Sequence, residues 1–252
     1  MPVLRSARLA AHGFRHGFST RAGGVSPPPF EALDFALLRD PELLRENVRR
    51  LGLAIGFEPG ALHQARQVHG REVLVADGHP AEMASREADA VVAAPGSGHA
   101  VAVRVADCVP VLLADPETGW VGAAHAGWKG VEARVLGATL EAMGGARPAM
   151  VAAIGPCIGP CCFEVGEDVA ERIAAVSAPS VVARRTDAGK AFVDLRAAVR
   201  AQLRALGLAD EAIEDVPGTG AEGCTRCDGA RFYSYRRDGD ASGRLVGVVV
   251  AR

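Results

Sequence analysis

Short unbroken runs of small and β-branched aliphatic residues, spread along the chain and separated by amphipathic segments, restrict this sequence to a layered architecture. Ala100–Val105 alternates small and β-branched residues, Val111–Ala114 continues in kind, and Val121–Ala124 leads into His125. Val151–Ile154 and Leu245–Val250 are of the same type. Bounded by turn residues, such runs read as buried strands. Helical stripes lie between them. After Gly130, the residues Val131, Val135, Leu136, Leu140 and Met143 recur at helical spacing until Gly144-Gly145 stops the run. Val165, Val169, Ile173 and Val176 form a second stripe against Glu164, Glu167, Asp168 and Glu171. Leu195, Val199, Leu203 and Leu206 form a third against Arg196, Arg200 and Arg204. With strands and helices interspersed throughout, the expected class is α/β or α+β, with layered sheets covered by helices.

The chain has 252 residues, 49% of them hydrophobic, and no low-complexity linker divides it, so a single domain over 1–252 is expected. A net charge of −2 with scattered arginines argues against a nucleic-acid partner. Met1–Ala11 carries Arg5 and Arg8 without an apolar stretch behind them and fails as a secretory signal. The longest uncharged run, Pro148–Phe163, is broken by glycines and prolines and is too short to span a bilayer. The expectation is a soluble cytoplasmic protein without a membrane partner. Six cysteines, two of them adjacent at Cys161 and Cys162, do not look like a disulfide framework. Reduced thiols and metal ligation are expected instead.

Three residues where apolar runs give way to turns carry the chemistry: His69 in Gln67-Val68-His69-Gly70, Cys108 in Ala106-Asp107-Cys108-Val109-Pro110, and His125 in Ala124-His125-Ala126-Gly127-Trp128-Lys129. Two imidazoles and a thiolate make a three-ligand set for Zn²⁺ that keeps its fourth position for water or substrate. Singly, each reads as readily as an ordinary core or surface residue. Gly70, Gly127 and Gly130 permit close approach of backbone to something bound, and Asp107 beside the thiol needs a partner if buried. Pro110 is expected to interrupt strand pairing, so that a bulge or strand end at Cys108 aims its sulfur towards a pocket. The helix after Gly130 would bring amide donors and a positive dipole end near the metal, with Lys129 adding charge or simply facing solvent. The loop Gly155–Cys162 matches no phosphate-loop pattern, and its prolines remove the amide donors such a loop needs. Cys224-x-x-Cys227 is the only C-x-x-C; with Cys157, Cys161 or Cys162 it could complete a second, structural zinc site, although spacing alone is a weak signal.

Several of these segments together resemble the YfiH-like family, also called the laccase-domain, polyphenol-oxidase or peptidoglycan-editing-factor family. Besides the three ligand motifs they include Phe18-Ser19-Thr20-Arg21-x-Gly23-Gly24-Val25-Ser26, Glu46–Leu51, Ala88-Asp89-Ala90, Gly155–Val165 and Arg231–Gly239. Lys129 departs from the pattern, which more often has Arg and hence a bidentate anion contact there. The resemblance implies a four-layer α/β/β/α fold with mixed sheets, similar to the catalytic domain of cytotoxic necrotizing factor. It also implies Zn²⁺ on His69, Cys108 and His125. The implied activity is phosphorolysis of adenosine, inosine, guanosine and methylthioadenosine, together with deamination of adenosine. Other members are named for copper-dependent polyphenol oxidation or for editing a peptidoglycan precursor. A multicopper laccase consumes about ten histidines. This chain has 7, and no Cys has a His neighbour. A single copper on the His-Cys-His set stays open, because Cu²⁺ outcompetes Zn²⁺ at most such sites.

For deamination, zinc would lower the pKa of its water to roughly 7 for attack at adenine C6, with a carboxylate moving the proton; Asp107 and Glu164 are the candidates. Phosphorolysis needs cations for phosphate, and Arg45, Lys129 and Arg236 are chosen. The assigned catalytic set is therefore Cys108, His125 and Asp107, acting on a small purine nucleoside and phosphate, with oligomeric state open. The rival enzyme reading is a metal-free hydrolase or amidase with Cys108 as nucleophile and His125 as base, suited to peptidoglycan-precursor editing. A non-enzymatic metal-binding protein is the third reading.

Overall fold

Strands buried on both faces explain the aliphatic runs. In the computed structural model, which describes residues 2–36, 40–219 and 223–252, successive side chains of each run enter different cores. Val101 and Val103 face one hydrophobic cluster, while Ala100 and Ala102 face another. Leu112 and Ala114 join the cluster of Val101, whereas Val109, Val111 and Leu113 turn to a third. The shared cluster lies between two sheets. One has the order Val3–Leu4, His16–Ser19, Leu245–Val250, Ala100–Val105, Leu62–His63, antiparallel except for the last pair. The other runs Ile213–Asp215, Val151–Ile154, Val109–Ala114, Val121–Ala126, Ala90–Ala93, Val73–Val75, with parallel pairs at its two ends. The outer face of the first packs with Leu51 and Ile55 of the helix Pro41–Ile55; that of the second packs with the helices Val135–Ala142 and Leu195–Ala205. An antiparallel three-stranded sheet, Glu164–Gly166, Lys190–Val193 and Val182–Thr186, stands beside them. The fold is thus mixed α/β, as expected. No helix among the described residues is long and apolar enough to cross a membrane.

The two sheets meet closely around Phe18, which is fully buried. A Cβ placed on Gly155 would lie 2.3 Å from its ring, and one on Gly247, its cross-strand neighbour, 2.9 Å. The ring fills the space that two missing side chains leave. Gly155→Ala is therefore expected to lower stability by about 1–3 kcal/mol through overpacking, seen as a lower midpoint in urea unfolding.

Four local expectations need correction. Pro110 does not interrupt pairing: it lies inside Val109–Ala114 opposite His125, and its carbonyl accepts from the Gly155 N–H. Proline costs a ladder only its donor, and the acceptor side still serves. The helical run after Gly130 is two helices, Trp128–Glu132 and Val135–Ala142, because Arg134 adopts φ 62° and ends one axis before the next begins. The first helix has five residues, too few aligned peptides to build the dipole expected near the metal. Glu164 and Val165 belong to a strand, and the acidic helix starts at Glu167.

Candidate active site

His125, Cys108 and His69 come together, but only the first two by strand geometry. His125 is the penultimate residue of Val121–Ala126, and Cys108 immediately precedes Val109–Ala114 on the neighbouring strand. His69 sits on no strand end; it lies in a bend, and its backbone takes φ 62°, a left-handed conformation that histidine tolerates better than most residues. What holds the bend is Asp89, the fully buried residue just before the strand Ala90–Ala93. Its carboxylate accepts from the N–H groups of Val68 at 3.1 Å, His69 at 2.9 Å and Gly70 at 2.6 Å. It also accepts from His125 Nδ1 at 2.8 Å, which leaves Nε2 as the ring nitrogen available to the site. Burial alone would raise the Asp89 carboxyl, but the His125 ring and the loop amides outweigh it and hold the acid below its usual range. One carboxylate thus positions both histidines of the cluster.

The three donor atoms lie within 4.8 Å of one another, with the rings of His69 and His125 edge to face at 4.8 Å. A Cβ on Gly127 would meet Cys108 Sγ at 2.9 Å and His69 Cδ2 at 3.1 Å, so the backbone comes as near to the cluster as glycine allows. This N₂S donor set, with a carboxylate behind one imidazole, fits a divalent ion such as Zn²⁺ or Cu²⁺. Burial would raise the Cys108 thiol, yet the facing charges and hydrogen bonds of His125 and His69 pull it down to about 6. Burial opposes protonation of His125, and Cys108 and Asp89 nonetheless carry it up to about 9. The sign follows: above about pH 6 the sulfur is a thiolate, and below it the nucleophile is lost. Metal-free protein should be alkylated at Cys108 by iodoacetamide with a rate midpoint near pH 6, well below the ordinary thiol value of about 8.5. A profile with the ordinary midpoint would contradict that pairing.

A cavity of about 540 Å³ opens on the cluster, a volume in the range of small-molecule sites. Asp107 lines it with φ 89°, its carboxylate accepting from Thr225 Oγ1 at 2.6 Å and from the Arg236 N–H at 2.7 Å. Both oxygens are thereby engaged in bracing neighbouring segments. Arg236 also lines the cavity, with its Nη1 donating to the Glu164 carbonyl at 2.8 Å. Glu164 itself pairs with Lys190 at 2.9 Å and is not among the lining residues. Arg45 is exposed on the helix Pro41–Ile55 beside Glu42, and Lys129 is exposed over the Trp128 ring at 5.7 Å; neither lines the cavity.

Sequence reasoning passed over Arg104 and Arg244, which share the cavity wall. Arg104 projects from the aliphatic run Ala100–Val105 and donates to the Ala65 carbonyl at 2.9 Å and Gln64 Oε1 at 3.2 Å. Burial, then the charge of Arg244, pull its guanidinium down to about 10. Among the described residues neither arginine forms an ion pair, whereas Arg66, also on the wall, is paired with Glu87 at 2.6 Å. A charged residue inside an otherwise apolar strand was the available signal. Asp89 carried a similar one, an acid flanked by alanines at the head of a strand.

Residues 15–252 match the family model described as multi-copper polyphenol oxidoreductase laccase. The chain is 40% identical over 253 residues to a purine nucleoside phosphorylase of Deinococcus radiodurans, covering 99% of this chain and 92% of that protein. It is 37% identical over 234 residues to purine nucleoside phosphorylase YfiH of Escherichia coli, covering 92% and 91%. Among solved structures, YlmD from Geobacillus stearothermophilus superposes with a TM-score of 0.88 at 30% identity, covering 100% of this chain and 97% of that one. The family model, the fold and these relatives together place the chain in the YfiH-like, laccase-domain family.

Proposed function

We propose that this protein is a zinc enzyme that cleaves purine nucleosides with phosphate and also deaminates adenosine. The observation that carries the reading is the pair Arg104 and Arg244 on the wall of the cavity: the charge of Arg244 bears on the Arg104 guanidinium, and among the described residues neither guanidinium forms an ion pair. Two guanidiniums in that setting favour a multiply charged anion, and phosphate accepts bidentate contacts from such forks. The naming of the relatives as purine nucleoside phosphorylases supports the same substrate class. In phosphorolysis a phosphate oxygen bonds to ribose C1′ while the C1′–N9 bond breaks and the purine leaves with the electron pair. Arg104 and Arg244 hold and orient the phosphate. Phe163 and Tyr235, also on the cavity wall, offer flat apolar surfaces to the base. In deamination, water adds at C6 and ammonia leaves; Asp107, the one carboxylate on the wall among the described residues, is assigned the proton. His69, Cys108 and His125 would hold the ion, which when bound supplies Lewis acidity at the cavity floor.

Copper oxidase chemistry of the multicopper type does not suit this chain. Its seven histidines include only two at the cluster, and the other candidate metal-binding group among the described residues contains no histidine. The arrangement Asp89, His125, Cys108 does favour a second reading, since it has the order of orienting acid, base and nucleophile in a thiol hydrolase. Bound zinc should protect Cys108 from iodoacetamide until a chelator is added, whereas the hydrolase should be labelled at once as isolated. The nucleoside reading is tested by incubating zinc-loaded protein with adenosine, with and without phosphate, and resolving the products by chromatography. Adenine should form only with phosphate, and inosine in both cases. Absence of adenine, inosine and hypoxanthine would overturn it.

A further inference from the structure

Four sulfurs that nucleoside chemistry leaves unused meet beside the cavity. Cys161 and Cys162 come from the loop after the strand Val151–Ile154, and Cys224 and Cys227 from the segment leading to Phe232. All four Sγ atoms lie within 4.8 Å of one another; Cys161 and Cys227 are 3.8 Å apart, and Cys162 and Cys227 3.3 Å. A tetrahedral ion with Zn–S bonds of about 2.3 Å has sulfur–sulfur edges of about 3.8 Å. The sulfurs therefore stand near ligand spacing before any ion is considered. The Gly159 N–H donates to Cys224 Sγ at 3.2 Å, the type of outer contact that steadies a ligating thiolate. The fifth nearby cysteine, Cys157, stays out of the group, its sulfur receiving Arg196 Nη2 at 3.3 Å.

We propose that Cys161, Cys162, Cys224 and Cys227 bind one Zn²⁺ in a closed, four-thiolate structural site. Four soft sulfur ligands select zinc over hard cations, and a full coordination shell leaves no position for substrate. Cys162 and Cys224 are buried and Cys161 and Cys227 exposed, so an ion has access from one side. The site would staple two segments that are far apart in sequence. Thr225, between its cysteines, donates to Asp107 next to Cys108, so the staple anchors the turn that carries a ligand of the cavity cluster. The inference does not depend on the nucleoside reading.

The test is zinc content by mass spectrometry of full-length protein purified under reducing conditions. About two zinc ions per chain are expected, with Cys108→Ser and Cys227→Ser each retaining one. In Cys108→Ser, X-ray absorption of the remaining zinc should show sulfur neighbours only, at about 2.3 Å. That measurement decides the matter even if Cys227→Ser fails to fold. Loss of all zinc in Cys108→Ser, a remaining zinc with nitrogen ligands, or a Cys162–Cys227 disulfide in place of the ion would overturn the proposal. None of these outcomes depends on turnover.

Discussion

Asp89→Asn is expected to weaken metal binding at His69, Cys108 and His125 by roughly 10–100-fold, measured by competition with a chromophoric chelator. The carboxylate accepts four hydrogen bonds in a fully buried site. An amide keeps one acceptor oxygen and turns its other arm into a donor, which then faces N–H groups. Each donor left without a partner costs about 1–3 kcal/mol, so a lower unfolding midpoint should accompany the loss of affinity. The pH dependence should change in a defined direction. Because the Asp89 acid is held below its ordinary range, its contribution is fully present above about pH 4 and is lost as pH falls through the lowered value. The variant should lack that part of the acid sensitivity. Unchanged affinity and stability would show that the bend at His69 is held by something else.

The second large effect concerns Arg244. Arg244→Ala should lower kcat/KM for phosphate by about 10–100-fold, the range of one or two charge-assisted hydrogen bonds to an anion. The change should fall on KM for phosphate, while phosphate-independent conversion of adenosine to inosine persists. Arg244 is the better position to probe, because its guanidinium donates to the Ser242 and Gly243 carbonyls of its own turn, whereas Arg104 ties down the Ala65 carbonyl and Gln64 of a distant segment. Equal loss of both activities would mean that Arg244 acts on the cavity as a whole.

How much of this was readable beforehand depended on whether a single physical pattern dominated locally. Ala100–Val105, Val151–Ile154 and Leu245–Val250 are strands at their expected limits because alternate side chains enter different cores and, apart from Arg104, nothing polar interrupts them. Leu195–Ala205 follows its apolar stripe, with Asp194 accepting from the Ala197 N–H at its start. The run Val131–Met143 has an equally regular stripe, but periodicity is blind to the left-handed turn at Arg134. The cluster His69, Cys108 and His125 could be named from residue type, and for Cys108 and His125 from setting, and the structure brings the three together. Apart from Arg236, the arginines on the cavity wall could not be chosen by charge alone. Arg45 and Lys129 differ from Arg104 and Arg244 only in where the chain folds them, which depends on pairings between distant segments.

The network centred on Asp89 separates folding from cofactor loading at the His69, Cys108 and His125 cluster. One histidine lies within a sheet with its ring bonded to a buried acid, and the backbone of the other is held by amides bonded to the same acid, so the fold itself brings the two residues together. An incoming cation meets donors already gathered and spends little of its binding energy on ordering the chain. Stripping and restoring that ion should then be reversible at constant secondary structure, letting supply of metal govern the site without endangering the scaffold.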